Sequence, residues 1–223
     1  MSTLLCALLL AVSTPAGFTD NLPQALDKAK AEGKMVFMVC SGSDWCMWCQ
    51  RLEQEVLSKP AFLDTATNFF ELVYIDMPQD KSRLSEWGLA HNEEVCVKYG
   101  VRGFPSCYLI DTDGKAVQQL GYEQGGAERY AERLKFLKDN YQDIEKYILP
   151  LANKLDQFIP KMNEMAKQKN GLRKVAVVYG PKLAALAKEI KNAKMPESLE
   201  GERAELLGYV QQLAATVKAR AAK

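Results

Sequence analysis

A strand that runs into a cysteine pair limits this chain more than any other feature. Lys34 to Cys40 is apolar after its first residue, with no polar alternation, as expected of a central strand covered on both faces. Ser41-Gly42-Ser43-Asp44 reads as a loop. Trp48 to Ser58 reads as a helix with Cys49, Leu52 and Val56 on one side. Cys46 and Cys49 therefore stand where strand gives way to helix. Two intervening residues place them one helical turn apart, close enough to close a disulfide.

That location has a chemical use. A thiolate, not a thiol, attacks disulfides. Helix N-termini offer unpaired N–H groups and the positive end of the peptide dipoles. A Cys-X-X-Cys pair there lowers the first pKa from about 8.5 to roughly 3.5–7.5. Cys46 is thus the expected nucleophile and Cys49 the expected resolving cysteine. A static disulfide is a second reading, and half of a zinc site a third. Structural zinc needs four ligands, and His91, Cys96 and Cys107 offer no second close pair. No metal and no cofactor is called for.

The other elements alternate. Asn21 to Glu32 is helical and ends at Gly33; Phe69 to Asp76 is a strand; Leu89 to Tyr99 is a helix closed by Gly100. Pro105 to Asp111 is a strand, Thr112-Asp113-Gly114-Lys115 a hairpin turn, and Ala116 to Leu120 the returning strand. A helix follows from Ala127 to Asn140. Early strands joined by helices should lie parallel and the last two antiparallel, so the prediction is an α/β fold with a mixed central sheet flanked by helices. Beyond Asn140 three apolar stripes at helical spacing predict a C-terminal α-helical extension. Pro150, Pro160, Asn170-Gly171, Gly180-Pro181 and Pro196 punctuate it. Lys174 to Tyr179 fits a strand as well as a helix.

A second motif supports the first. Tyr99-Gly100-Val101-Arg102-Gly103-Phe104-Pro105 enters the third strand, where a proline's missing N–H is tolerated and a cis bond is usefully placed. Strand, Trp45-Cys46-Met47-Trp48-Cys49, helix and then this turn together resemble the thioredoxin superfamily. Ser41 to Cys46 with Glu53 and Glu55-Val56 is similar to its exported bacterial members related to disulfide reductases. The resemblance covers Asn21 to Asn140. It implies a cis bond at Pro105 and a substrate groove lined by Trp45, Trp48, Gly103, Phe104 and Pro105. Thioredoxins also carry a buried acid on the strand before the motif. No acid stands on Lys34–Cys40, which leaves Asp44, Glu53 or water to handle protons. Met47-Trp48 matches the spacer of neither the reductases nor the strong oxidants, so the direction of electron flow stays open.

Composition sets the remaining bounds. The chain is 48% hydrophobic and 26% charged with a net charge of +1, which gives no global field toward nucleic acid. Leu4 to Val12 is an apolar run followed by Ser13-Thr14-Pro15-Ala16, the pattern of a secretory leader cleaved after Ala16. A lipid anchor at Cys6 and a buried helix are the other readings. The expected organisation is leader 1–16, thioredoxin-like domain 17–140 and helical extension 141–223, in a periplasmic or secreted protein. Cys40 reads as core, Cys107 as core or a third redox cysteine, and Cys96 as buried or a free thiol. The leading function is thiol–disulfide oxidoreduction of protein or peptide disulfides, as reductase or isomerase, fed by a membrane electron donor. The alternative is an inert scaffold whose helical tail binds a partner or pairs two copies as a homodimer.

Overall fold

The computed structural model of the protein describes residues 14–222; the apolar run Leu4–Val12 and Cys6 lie outside them. The described residues form two compact units that divide between Asp139 and Asn140, taken in turn.

In the first unit α1 (Leu22–Glu32) leads into β1 (Met35–Ser41), then α2 (Met47–Leu52), which continues as one wider π turn over Glu53–Leu57. A further helix, α3 (Pro60–Phe69), precedes β2 (Phe70–Asp76). The sequence reading left Pro60 to Asn68 without an element. Pro60 in fact opens the helix from its first turn, where a missing N–H is harmless. Then follow α4 (Glu86–Lys98), β3 (Ser106–Ile110), β4 (Ala116–Leu120) and α5 (Gly126–Asp143).

The sheet order is β2-β1-β3-β4, with β1 and β2 parallel and the other pairs antiparallel. The expected mixed α/β sheet is what forms. Thr19 adds a short parallel bridge outside β2, its N–H donating to Leu72 O at 2.9 Å. β1 is buried at every position, which explains its unbroken apolar sequence. One face carries Val36, Met38 and Cys40 against Leu22, Ala25, Val95 and Cys96 of α1 and α4. The other carries Phe37, whose ring meets Phe62 of α3 at 5.9 Å and Tyr130 of α5 at 6.2 Å.

The second unit is helical: α6 (Leu149–Ala166), α7 (Gly171–Asn192) and α8 (Glu200–Ala221). Its core is Leu151, Leu155, Met162, Val175, Tyr179, Leu183, Leu186, Ile190 and Val210. Lys174 to Tyr179 is helix, not strand, because Val175 and Tyr179 extend the buried stripe of Leu183 and Leu186 at helical spacing. Pro160 and Pro181 do not end helices; both stand exposed inside them. Tertiary burial of the opposite face carries the helix past a residue that costs about 3 kcal/mol in an isolated one. The turn between α6 and α7 needs Gly171, where a Cβ would lie 2.3 Å from Met165 O.

Phe37 should be the most sensitive position of the sheet's second face. Phe37→Ala is expected to cost about 3–5 kcal/mol, read as a lowered urea midpoint of the first unit's unfolding. A loss below about 1 kcal/mol would contradict the packing described.

Candidate active site

The parallel pairing of β1 and β2 sets Ser41 beside Asp76 at the end of both strands. The buried Asp76 carboxylate accepts from Ser43 N–H at 2.9 Å and from Ser43 Oγ at 2.6 Å. This pins the start of the turn that leaves the sheet. The turn then closes on Gly42, whose carbonyl accepts from Cys46 N–H at 2.8 Å. Gly42 admits no side chain, since a Cβ would lie 2.4 Å from Trp45 Cε2. The Trp45 indole lies back over this backbone, and its Nε1 donates to Met77 O at 2.8 Å.

Cys46 caps α2. Its backbone is extended (φ −90°, ψ 103°), and its Sγ accepts from Cys49 N–H at 3.2 Å. Cys46 and Cys49 are joined by a disulfide with Cα atoms 5.2 Å apart, within the normal span of such a bond. Cys46 is 7% exposed and Cys49 2%. The first cysteine is therefore the more accessible, although both are largely shielded.

The surroundings are aromatic and open. Trp45, Met47 and Trp48 are exposed around the disulfide. Phe104 meets Trp45 edge-on at 5.5 Å, and the Phe104–Pro105 bond is cis. Gly103 leaves open space where a side chain would stand. Of the groove residues read from sequence, the structure joins Trp45 to Phe104 directly and gives Trp48 a different neighbour. That neighbour is Tyr122, 5.4 Å away on the segment between β4 and α5. Arg51 lies over both rings, and Tyr122 donates to Glu55 Oε2 at 2.5 Å while Arg51 Nε donates to Glu55 Oε1 at 2.6 Å. The hydroxyl of Tyr122 and the guanidinium of Arg51 hold the Glu55 carboxyl below the usual carboxylate range. Sequence reasoning missed Tyr122 and Arg51, because no local pattern marks a residue whose partner lies on another element.

The two acids considered for proton handling differ. Asp44 has both oxygens committed to the loop after β2, accepting from Gln79 N–H at 2.9 Å and Asp80 N–H at 3.0 Å. These backbone donors hold its carboxyl below the ordinary range, so it fastens a loop. Glu53 stands one helical turn after Cys49 and accepts from the Tyr74 hydroxyl at 3.1 Å. Tyr74 shares a second hydrogen bond with Ser41 Oγ at 2.8 Å, and burial pushes its own ionisation up. Cys107 is fully buried, and burial pushes its thiol up to about 12, which suits a core residue. His91 stacks on Trp87 at 4.4 Å, away from the constellation just described.

Comparison with known proteins agrees with this geometry. A family model described as a thioredoxin-like domain matches residues 22–138. Over 116 residues the chain is 33% identical to the disulfide bond reductase DsbH of Chlamydia pneumoniae, covering 52% of this chain and 69% of that protein. It is also 33% identical over 106 residues to the thiol:disulfide interchange protein DsbD 2 of Pseudomonas aeruginosa. That match covers 48% of this chain and only 16% of the longer protein. A solved DsbH oxidoreductase aligns with a TM-score of 0.49 at 31% identity, over 54% of this chain and 84% of its own. With the matched domain folded as described and a disulfide closed at the head of its helix, the chain is a thiol–disulfide oxidoreductase and belongs to the thioredoxin-like domain family.

Proposed function

We propose that this protein reduces disulfides in other proteins, with Cys46 as nucleophile and Cys49 as resolving cysteine. One observation carries the reading: the disulfide caps a helix beneath exposed Trp45, Met47 and Trp48, with Cys46 the more accessible sulfur. In the reduced enzyme the Cys46 thiolate takes the Cys49 N–H and the helix dipoles as its stabilisers. It attacks one sulfur of a substrate disulfide, and the other leaves as a thiolate. Cys49 then attacks Cys46 Sγ, expels the second substrate thiolate and closes the disulfide. Two electrons pass to the substrate, and a donor must return them.

Glu53 supplies the base for the second step. It lies one helical turn after Cys49 in a hydrogen-bonded row with Tyr74 and Ser41. The reducing direction is supported by the relative named as a disulfide bond reductase. The match to part of a thiol:disulfide interchange protein supports a donor that passes electrons by thiol–disulfide exchange, and we place that donor in the membrane. The leader-like sequence and these relatives support an exported, periplasmic setting. Among the described residues no helix is long and apolar enough to cross a membrane.

The helical unit leaves Leu172, Val177 and Tyr209 exposed, which favours a partner there, a second copy of the chain being the simplest. Sedimentation equilibrium should then give twice the monomer mass, and Val177→Asp with Tyr209→Asp should restore the monomer. A monomer at every concentration would remove this part of the reading.

Insulin reduction with dithiothreitol as donor tests the main proposal. Cys46→Ser should abolish turnover, and Cys49→Ser should accumulate a mixed disulfide through Cys46. Undiminished turnover by Cys46→Ser would exclude it as nucleophile. Glu53→Gln should slow turnover roughly tenfold or more near pH 7. The gap should narrow as pH rises, because more of the Cys49 thiol then ionises unaided. A constant ratio at all pH values would show that Glu53 takes no proton.

A further inference from the structure

Charge is spread unevenly over the helical unit. The end of α6, the start of α7 and the end of α8 meet at one pole, where Ala166, Arg173 and Arg220 line a common hollow. Lys161 on α6 and Lys167 and Lys169 in the turn after it are exposed. Arg173 and Lys174 open α7, Lys218 and Arg220 close α8, and these are exposed as well. Residues 160–178 and 210–222 thus hold seven basic side chains and one acid, Glu164, which pairs with Lys167 at 3.5 Å. The opposite pole mixes its signs: Lys154 pairs with Glu189, and Arg203 with Glu200.

Helix stability does not account for this pole. Lys167, Lys218 and Arg220 suit the negative dipole ends of α6 and α8. Arg173 and Lys174 stand instead at the positive end of α7, whose first turn holds no acid. Beside the bases lies an apolar slot of about 120 Å³, lined by Met162, Ala166, Leu172, Val175, Leu213 and Val217 and also by Arg220. Ala166, Leu172 and Arg220 belong to the hollow that reaches Arg173 too. Positive charge therefore borders an apolar opening.

We propose that this pole docks the protein on a bilayer that carries anionic phospholipids. Headgroup phosphates meet the bases, and the slot admits the first methylenes of an acyl chain. A soluble acidic partner would leave the slot empty. Single-stranded nucleic acids stack on aromatic rings, and neither basic stretch has an aromatic residue. Each Lys or Arg near an anionic surface strengthens binding about fivefold, and salt screens the attraction.

The full chain is mixed with vesicles of phosphatidylglycerol and phosphatidylcholine, or of phosphatidylcholine alone, and the vesicles are floated on a density gradient. The quantity read is the excess bound to anionic over neutral vesicles, so that any capture through Leu4–Val12 cancels. A clear excess is expected, and it should vanish in about 1 M NaCl, where the screening length is roughly 3 Å. Arg173→Glu with Arg220→Glu should cut the excess about tenfold or more. Lys188→Glu with Lys191→Glu changes net charge equally at the opposite pole and should leave most of it. Lys167→Glu with Lys169→Glu, outside the helices, repeats the test should the arginine pair unfold the bundle. No excess on anionic vesicles overturns the proposal, whatever soluble polyanion the protein binds. So does an equal loss at the two poles, which would reflect net charge alone. Binding is read without turnover and with Cys46–Cys49 closed, so its failure is separate from any failure of disulfide reduction.

Discussion

The hydrogen bond from Cys49 N–H to Cys46 Sγ is the interaction on which the site depends. It makes a sulfur the cap of its own helix. Oxygen side chains normally fill that place, and sulfur there gains the same orphan donor and the same dipole. Chemistry and local structure are thereby the same contact. The cap exists only because the chain turns sharply after β1, and that turn rests on two anchors. Asp76 on the neighbouring strand takes both donors of Ser43. Gly42 leaves room for the Trp45 ring to fold back. The first anchor comes from the neighbouring strand, so the position of Cys46 is a property of the β1–β2 pairing.

Around that fixed point the structure divides its tasks. Carboxylates that resemble one another in sequence are put to different uses by their partners. Asp44 faces two backbone N–H groups and ties down the loop after β2. Glu55 is clasped by Tyr122 and Arg51 and stiffens the outer wall beside Trp48. Glu53 alone turns inward, toward Tyr74. The exposed rings of Trp45 and Trp48 are braced from opposite sides, one by Phe104 and the other by Tyr122. Rings braced in this way have little side-chain freedom left to lose on contact with another chain.

The sulfurs are sorted in the same way. Cys46 and Cys49 are set at a helix start with a rim open to solvent. Cys40, Cys96 and Cys107 lie within the core, and burial raises the ionisation of Cys107. Cys40 stands six positions before Cys46 on the same strand-and-turn segment, yet alternation turns it to the α4 face.

Much of this was legible in the linear pattern. The unbroken apolar β1, the cysteine spacing at a strand-to-helix junction, the Asp-Gly hairpin and the Gly103-Phe104-Pro105 turn each carry a local physical signal, and each took the expected form. Periodicity alone also placed three helices after Asn140. What it missed had no local signature. Proline marked breaks at Pro160 and Pro181 that burial of the opposite helix face overrode, and Pro60 opens a helix where no element was read. Tyr122 against Trp48 and Glu53 against Tyr74 are contacts between residues far apart in sequence. Thus the sequence by itself determined the spacing of Cys46 and Cys49 and the strand-to-helix junction that carries them. Only the tertiary structure decided which acid meets Tyr74 and which rings brace one another, because those depend on how separate elements pack and not on any one element's pattern.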